Sequence, residues 1–175
     1  MRLSSIVRRF FVPKVFVTLY LYSRHRCLVS PRAEVELSST LSIGRSTKVG
    51  SFTKIKSADG PVSIGRDCSV ATCCSLLTGA GGLRIGDDVM IGPSTTIVST
   101  NLGYGRMDIP MRQQAQQSKG IAIGSNVWIG ANCSILDGAK IGSGAVVAAN
   151  SVVSGPVPEN AVVSGNPAKV IFIRR

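Results

Sequence analysis

Acid–base and nucleophilic chemistry near neutral pH draws first on histidine and cysteine, and this chain of 175 residues offers one histidine, His25, and five cysteines. Cys27, Cys68, Cys73, Cys74 and Cys133 contain no C-x-x-C pair and no even disulfide framework. A nucleophilic cysteine needs a base beside it, and His25 lies outside the repeated part of the chain. A catalytic zinc needs several imidazoles, so one histidine also sets aside a metalloenzyme. The thiols are expected to be free, small corner-filling side chains in a reducing, cytoplasmic setting. Chemistry is instead expected in a polar stretch: 26 residues separate Ile97 from Ile123. Unstructured excursions of that length inside compact domains are usually functional or disordered.

That stretch is conspicuous because the chain around it keeps a strict beat. Ile123, Ile129, Ile135, Ile141, Val147 and Val153 stand six apart, and the same spacing runs through Leu37, Ile43, Val49 and Ile55, then Ile64, Val70 and Leu76, then Ile85, Ile91 and Ile97. A helix repeats its apolar face every 3.6 residues and a half-buried strand every second residue, so a period of six belongs to a stacked parallel β-coil. Steps of nine residues, 55 to 64 and 76 to 85, predict short insertions bulging from one corner after every third rung. The chain divides into a basic amphipathic segment, 1–32, expected to be helical, and a hexapeptide-repeat domain, 33–175, with an inserted loop, 98–122, and a tail, 156–175. Pro156 and Pro158 cannot donate ladder hydrogen bonds, and with the Asn166–Pro167 turn they are expected to end the stack.

Charge is concentrated at the start. The formal net charge is +11, and Arg2, Arg8, Arg9, Lys14, Arg24, Arg26 and Arg32 all precede the first acid, Glu34. Phe10 to Tyr22 is apolar but interrupted by Pro13 and Lys14, too short to span a bilayer and without a small-residue cleavage site. Two uses compete for this segment: a peripheral anchor on the inner face of an anionic membrane, or a helix that caps the coil stack or packs on a neighbouring subunit. The basic residues follow no helix-turn-helix, RNA-recognition or zinc-finger spacing, and nucleic acid is not an expected partner.

Three stretches carry a family resemblance: IGDDVMIGP at Ile85–Pro93, VWIGAN at Val127–Asn132 and PVPENAVVSGNPAKVI at Pro156–Ile171. With the hexads they make the chain, over roughly residues 35–175, similar to the hexapeptide-repeat acyltransferases, in the branch of maltose, galactoside, xenobiotic and capsular-polysaccharide O-acetyltransferases. The resemblance implies an all-β left-handed parallel β-helix, a homotrimer with the active site between subunits, and acetyl-CoA as acyl donor along the C-terminal coils, with no metal.

Matching positions imply the following roles. Trp128 lies beside the active site; Ala131, Ala149 and Ser154 touch the cofactor; Lys169, with Arg174 and Arg175 near it in sequence, faces its phosphates. Gly155 stands where the family often has Lys. On the acceptor side the resemblance points to Thr72, where related sugar acetyltransferases have Asn, and to Asn101, Tyr104 and Arg106 of the loop. The general base of the family, a histidine that takes the acceptor hydroxyl's proton, falls on position 102, and this chain has Leu102.

Three explanations stand for that residue: an inactivating change, natural or engineered, in an ordinary acetyltransferase; a non-catalytic member of the family; or another group doing the work. Tyr104 and Asp108 are the nearby groups with acid–base use, set against simple roles in loop packing and in the turn before Pro110. The expected activity is therefore acetyl-CoA-dependent O-acetylation of a saccharide hydroxyl, on a surface-polysaccharide or lipid-linked glycan, with turnover weak or absent. The competing reading is a trimeric scaffold, or a protein that binds CoA or a partner without catalysis.

Overall fold

The computed structural model describes residues 14–57 and 59–175; Arg2, Arg8 and Arg9 lie outside the described residues. A helix, α1 (Lys14–His25), leads into a stack of coils, each turn of which makes three short strands. The first turn holds β1 (Leu28–Val29), β2 (Glu34–Val35) and β3 (Leu41–Ile43), and the second β4 (Lys48–Val49), β5 (Lys54–Lys56) and β6 (Val62–Ile64). The third holds β7 (Ser69–Val70), β8 (Ser75–Thr78) and β9 (Leu83–Ile85). The fourth begins with β10 (Met90–Ile91) and β11 (Thr96–Ser99), leaves the stack for a hairpin of β12 (Asn101–Leu102) and β13 (Gln116–Gln117), and closes with β14 (Ile121–Ile123). The fifth is β15 (Trp128–Ile129), β16 (Ser134–Leu136) and β17 (Lys140–Ile141), and the sixth β18 (Val146–Val147), β19 (Val152–Val153) and β20 (Pro156–Val157). The chain ends in β21 (Ala161–Ser164) and β22 (Lys169–Ile173).

Like strands of successive turns pair in parallel and build three faces of a left-handed β-helix: β1-β4-β7-β10-β15-β18-β21 on the first, β2-β5-β8-β11-β16-β19 on the second and β3-β6-β9-β14-β17-β20 on the third. The register aligns the beat: Ile91 pairs with Val70 and Ile129, Ile97 with Leu76 and Ile135, and Ile123 with Ile85 and Ile141. Every hexad aliphatic from Ile43 to Val153 is buried. One position departs from the sequence reading. Val35, not Leu37, pairs with Ile55, and Leu37 is half-buried outside the strand. The turn from Val35 to Ile43 carries two extra residues at the same corner as the later insertions, so counting back six from Ile43 stops two residues short of the rung.

On the first two faces the position two before each rung turns inward at a corner, and most of these positions take small side chains. Cys27, Cys68, Cys74 and Cys133 fill it as expected, alternating with Thr47, Thr53 and Thr95, and all seven are buried. The Thr95 hydroxyl donates to the Gly130 carbonyl at 2.9 Å and accepts the Cys133 N–H at 3.2 Å, and the Cys133 thiol donates onward to the Ala148 carbonyl at 3.2 Å. Cys73 departs from the corner-filling expectation. It sits one residue earlier, at φ 60°, in the left-handed conformation that also recurs at Asp67, Asp88, Asn126, Asn132 and Asn150, and its side chain is exposed.

The prolines do not stop the stack. Pro156 and Val157 pair with Lys140 and Ile141 at the edge of the third face, where the carbonyls of Gly155 and Val157 accept bonds and no proline N–H is asked for. The first face gains one more parallel strand, β21, before β22 folds back on it antiparallel. At the other end α1 rests on β1 with Leu21 3% exposed, so the helix closes the open end of the core. Among the described residues no helix is long and apolar enough to cross a membrane.

Candidate active site

The loop leaves the corner between the second and third faces after Ser99 and rejoins the stack at Ile121. It is a braced structure. Asn101 pairs with Gln117 and Leu102 with Gln116 across the hairpin. The Ser118 hydroxyl donates to the Ser99 carbonyl and accepts the Gly81 N–H, which ties the two stems to the turn before. Asp137, one turn further on, accepts the N–H groups of Lys119 and Gly120 at 2.8–2.9 Å. Gln114 closes the tip, accepting the Arg106 N–H at 3.1 Å and donating to the Arg106 carbonyl at 2.7 Å. A 3₁₀ turn, Met111–Gln113, completes the bend.

Sequence reasoning missed Ser118, Gln114 and Asp137. A signal for the last was available: Asp137 follows Lys119 by 18 residues, one turn of the tight coils, so a carboxylate there falls beneath the end of the loop.

Leu102 is 53% exposed at the loop mouth and Tyr104 73% exposed beyond it. Arg106 and Asp108 form an ion pair on the rim, and Arg106 holds the Asp108 carboxyl below the usual carboxylate range through its side-chain hydrogen bond. Such a group is a poor proton acceptor near neutrality. Burial pushes the thiols of Cys27, Cys68, Cys74 and Cys133 up, so these four stay protonated and unreactive.

Thr72, expected on the acceptor side, lies away from the loop, beside two of the residues expected to face the cofactor. Thr72, Ala131 and Ala149 occupy the corner between the first and second faces, in a column whose carbonyls bond turn to turn: Ser94 N–H to Thr72, Asn132 N–H to Pro93 and Asn150 N–H to Ala131. Close stacking there depends on glycine, since a Cβ at Gly92 would meet the Ala131 nitrogen at 2.6 Å and one at Gly130 the Ala149 nitrogen at 2.5 Å. Trp128 projects from the first face just before this corner, between Met90 and Val146, and is 53% exposed.

Lys169 pairs with Ser164 at the same end of β22, while Ser154 is exposed after β19, at the loop's corner. Arg174 is not brought to Lys169. The strand carries it to the opposite corner, where its guanidinium donates to the Gly144 carbonyl at 2.8 Å. A single chain thus holds two groups of candidate residues, the loop at one corner and the Trp128–Ala131–Ala149–Lys169 group at another, separated by the second face.

Two family models match: "Bacterial transferase hexapeptide (six repeats)" over residues 120–155 and "Hexapeptide repeat of succinyl-transferase" over 82–105, the second running into the first part of the loop. A protein of Escherichia coli K12 named as a lipopolysaccharide biosynthesis O-acetyl transferase, WbbJ, is 40% identical over 94 residues, 50% of this chain and 48% of its own. The galactoside O-acetyltransferase of the same organism is 38% identical over 87 residues, 50% of this chain and 42% of its own. The chain therefore spans about half the length, or less, of these relatives. A hexapeptide-repeat acetyltransferase of Vibrio cholerae, solved with acetyl coenzyme A, superposes with a TM-score of 0.56 at 26% identity, covering 97% of this chain and 82% of that one.

Proposed function

We propose that this chain, which belongs to the hexapeptide-repeat acyltransferase family, is an acetyl-CoA-dependent O-acetyltransferase of saccharide hydroxyls whose turnover is slowed by Leu102 at the general-base position. One observation carries the reading. The family matches take in the loop's opening, to residue 105, and the coils from residue 120 onward, and the loop itself is braced by Ser118, Gln114 and Asp137 rather than left as a slack linker. Saccharide acceptors are the class named for the two Escherichia coli relatives.

The residues present fit the cofactor. Ala131 and Ala149 put nothing larger than a methyl at their corner, Trp128 stands beside it, and Lys169 is an exposed ammonium that suits phosphate oxygens. Acetyl-CoA, when bound, supplies the acyl group as a thioester. Thr72, Asn101, Tyr104 and Arg106 would orient the acceptor. The separation of the two groups within one chain supports a homotrimer in which the loop of one subunit faces the cofactor corner of the next.

The acceptor hydroxyl must still lose its proton. Leu102 cannot take it, and the Arg106–Asp108 pair leaves Asp108 a weak base. Loss of a general base costs about 10²–10⁴ in rate, while positioning survives. The competing reading, a trimeric scaffold or a protein that binds CoA without catalysis, draws on the apolar, half-exposed Leu102 itself.

Thiol release from acetyl-CoA across a panel of sugars, for the parent and for Leu102→His, tests the proposal. The histidine variant is expected to gain about 10²-fold or more. A folded Leu102→His protein as inert as its parent would sink it, and a parent that gains no thermal stability from acetyl-CoA leaves the scaffold in its place.

A further inference from the structure

The middle of helix α1, from Val15 to Tyr22, is apolar but for Thr18, yet only one side of it is used by the fold. Leu21 is buried against the end of the core and Val17 packs on it. Val15, Phe16, Leu19, Tyr20 and Tyr22 are each 52–62% exposed. At about 100° per residue these five cover an arc of about 160° on the side away from the stack. Leu28, 53% exposed on β1, extends the apolar surface beside Leu19 and Tyr22. Polar residues normally occupy the outer side of a helix that caps a core, so this arc has an occupant.

We infer that the arc seats the protein on a bilayer carrying anionic phospholipid. Charge selects the occupant. Residues 1–32 carry seven basic side chains and no acid, and Arg26, directly after the helix, is exposed. Two copies meeting through this helix would set like charge against like charge, beginning with the exposed Arg26 of each. An anionic headgroup layer neutralises them, and each basic residue near such a surface favours binding. Twelve residues make a helix about 18 Å long, short of the ~30 Å of a hydrocarbon core, so the helix lies in the interface and does not cross it. Leu21 holds it to the coil stack, and the attached acyl-transfer scaffold is thereby oriented end-on to the membrane.

Sedimentation of the full chain with phosphatidylglycerol–phosphatidylcholine vesicles, against phosphatidylcholine alone, reads the inference without acetyl-CoA or acceptor. Its outcome is therefore independent of the proposed reaction. The chain is expected to pellet with the anionic vesicles and to be released by salt. Phe16→Ser/Leu19→Ser and Val15→Ser/Tyr22→Ser, all at exposed positions, should each weaken binding on the order of tenfold or more while sedimenting free of lipid as the parent does. Three results overturn the inference: a parent that ignores anionic vesicles, a folded pair of variants that bind as the parent does, or variants whose subunit number falls, which would make the arc a contact between copies.

Discussion

The carboxylate of Asp137 accepts the backbone N–H of Lys119 through both of its oxygens, at 2.8 and 2.9 Å, and so fastens the end of one loop to the coil beneath it. Gly120 donates to the same carboxylate at 2.9 Å. Asp137→Ala removes the acceptor and leaves these amides to water. Because the site is only half-buried, the cost to global stability should be modest, about 1 kcal/mol. Local opening should change more: amide exchange at Ser118–Gly120 and across the Asn101–Gln117 pair is expected to rise on the order of tenfold, with the stack from Ile123 onward unchanged. Exchange that accelerates evenly through the whole chain would show Asp137 to be a general stabiliser instead.

The Arg106–Asp108 pair makes a prediction about pH. Hydrogen bonding from Arg106 lowers the Asp108 pKa from its ordinary value of about 3.9. A depressed folded-state pKa means that the pair's contribution is complete above the ordinary value and is lost as pH falls through the folded one. Between pH 5 and 8 the loop tip should therefore keep one charge state. Carboxyl carbon NMR of Asp108 is expected to show no titration in that window, and Arg106→Ala should move its midpoint upward. A midpoint between pH 5 and 8 in the parent would revive Asp108 as a proton acceptor.

The stack was legible in the sequence because each turn spends one large aliphatic per face, and those residues cannot point anywhere but inward. Where insertions change the count, reading six by six fails. Leu37 fits the beat of six but the rung is Val35; both lie on the apolar side of the same short strand and its extension. The tail misled for a different reason. Proline forbids donation only, and on the last strand of a face the stack asks only for carbonyls. Candidate site residues were found as types, but not as neighbours. Lys169 and Arg174 are close in sequence, yet an extended strand of five residues sets them at opposite corners, and the Asp137 clamp joins residues that only the coil period brings together.

Buried corner hydroxyls should matter more than buried corner thiols. Thr95 is wholly buried and bonded on both sides, to Gly130 O at 2.9 Å and from Cys133 N at 3.2 Å. Thr95→Val keeps the shape and orphans both groups, at about 1–3 kcal/mol. Cys133→Ala removes only a weak thiol donor and a small volume, and should cost less. Urea midpoints for the two variants give the order directly; equal midpoints would mean that the ladder contributes through packing alone.

Lys169 and Arg174 can be separated by ligand as well as by place. If Lys169 faces the phosphates of acetyl-CoA, Lys169→Ala removes a charge-assisted contact worth about 1.5–3 kcal/mol, and affinity should fall on the order of ten- to a hundredfold. Arg174 donates to Gly144 O at the far corner, so Arg174→Ala should lower the melting temperature of the free protein slightly and leave the acetyl-CoA increment intact. Thermal shifts with and without acetyl-CoA measure both terms in one series. Equal loss of the increment in both variants would mean that the cofactor reaches across β22 to the opposite corner, and the assignment of Ala131, Ala149 and Lys169 to one binding surface would have to be abandoned.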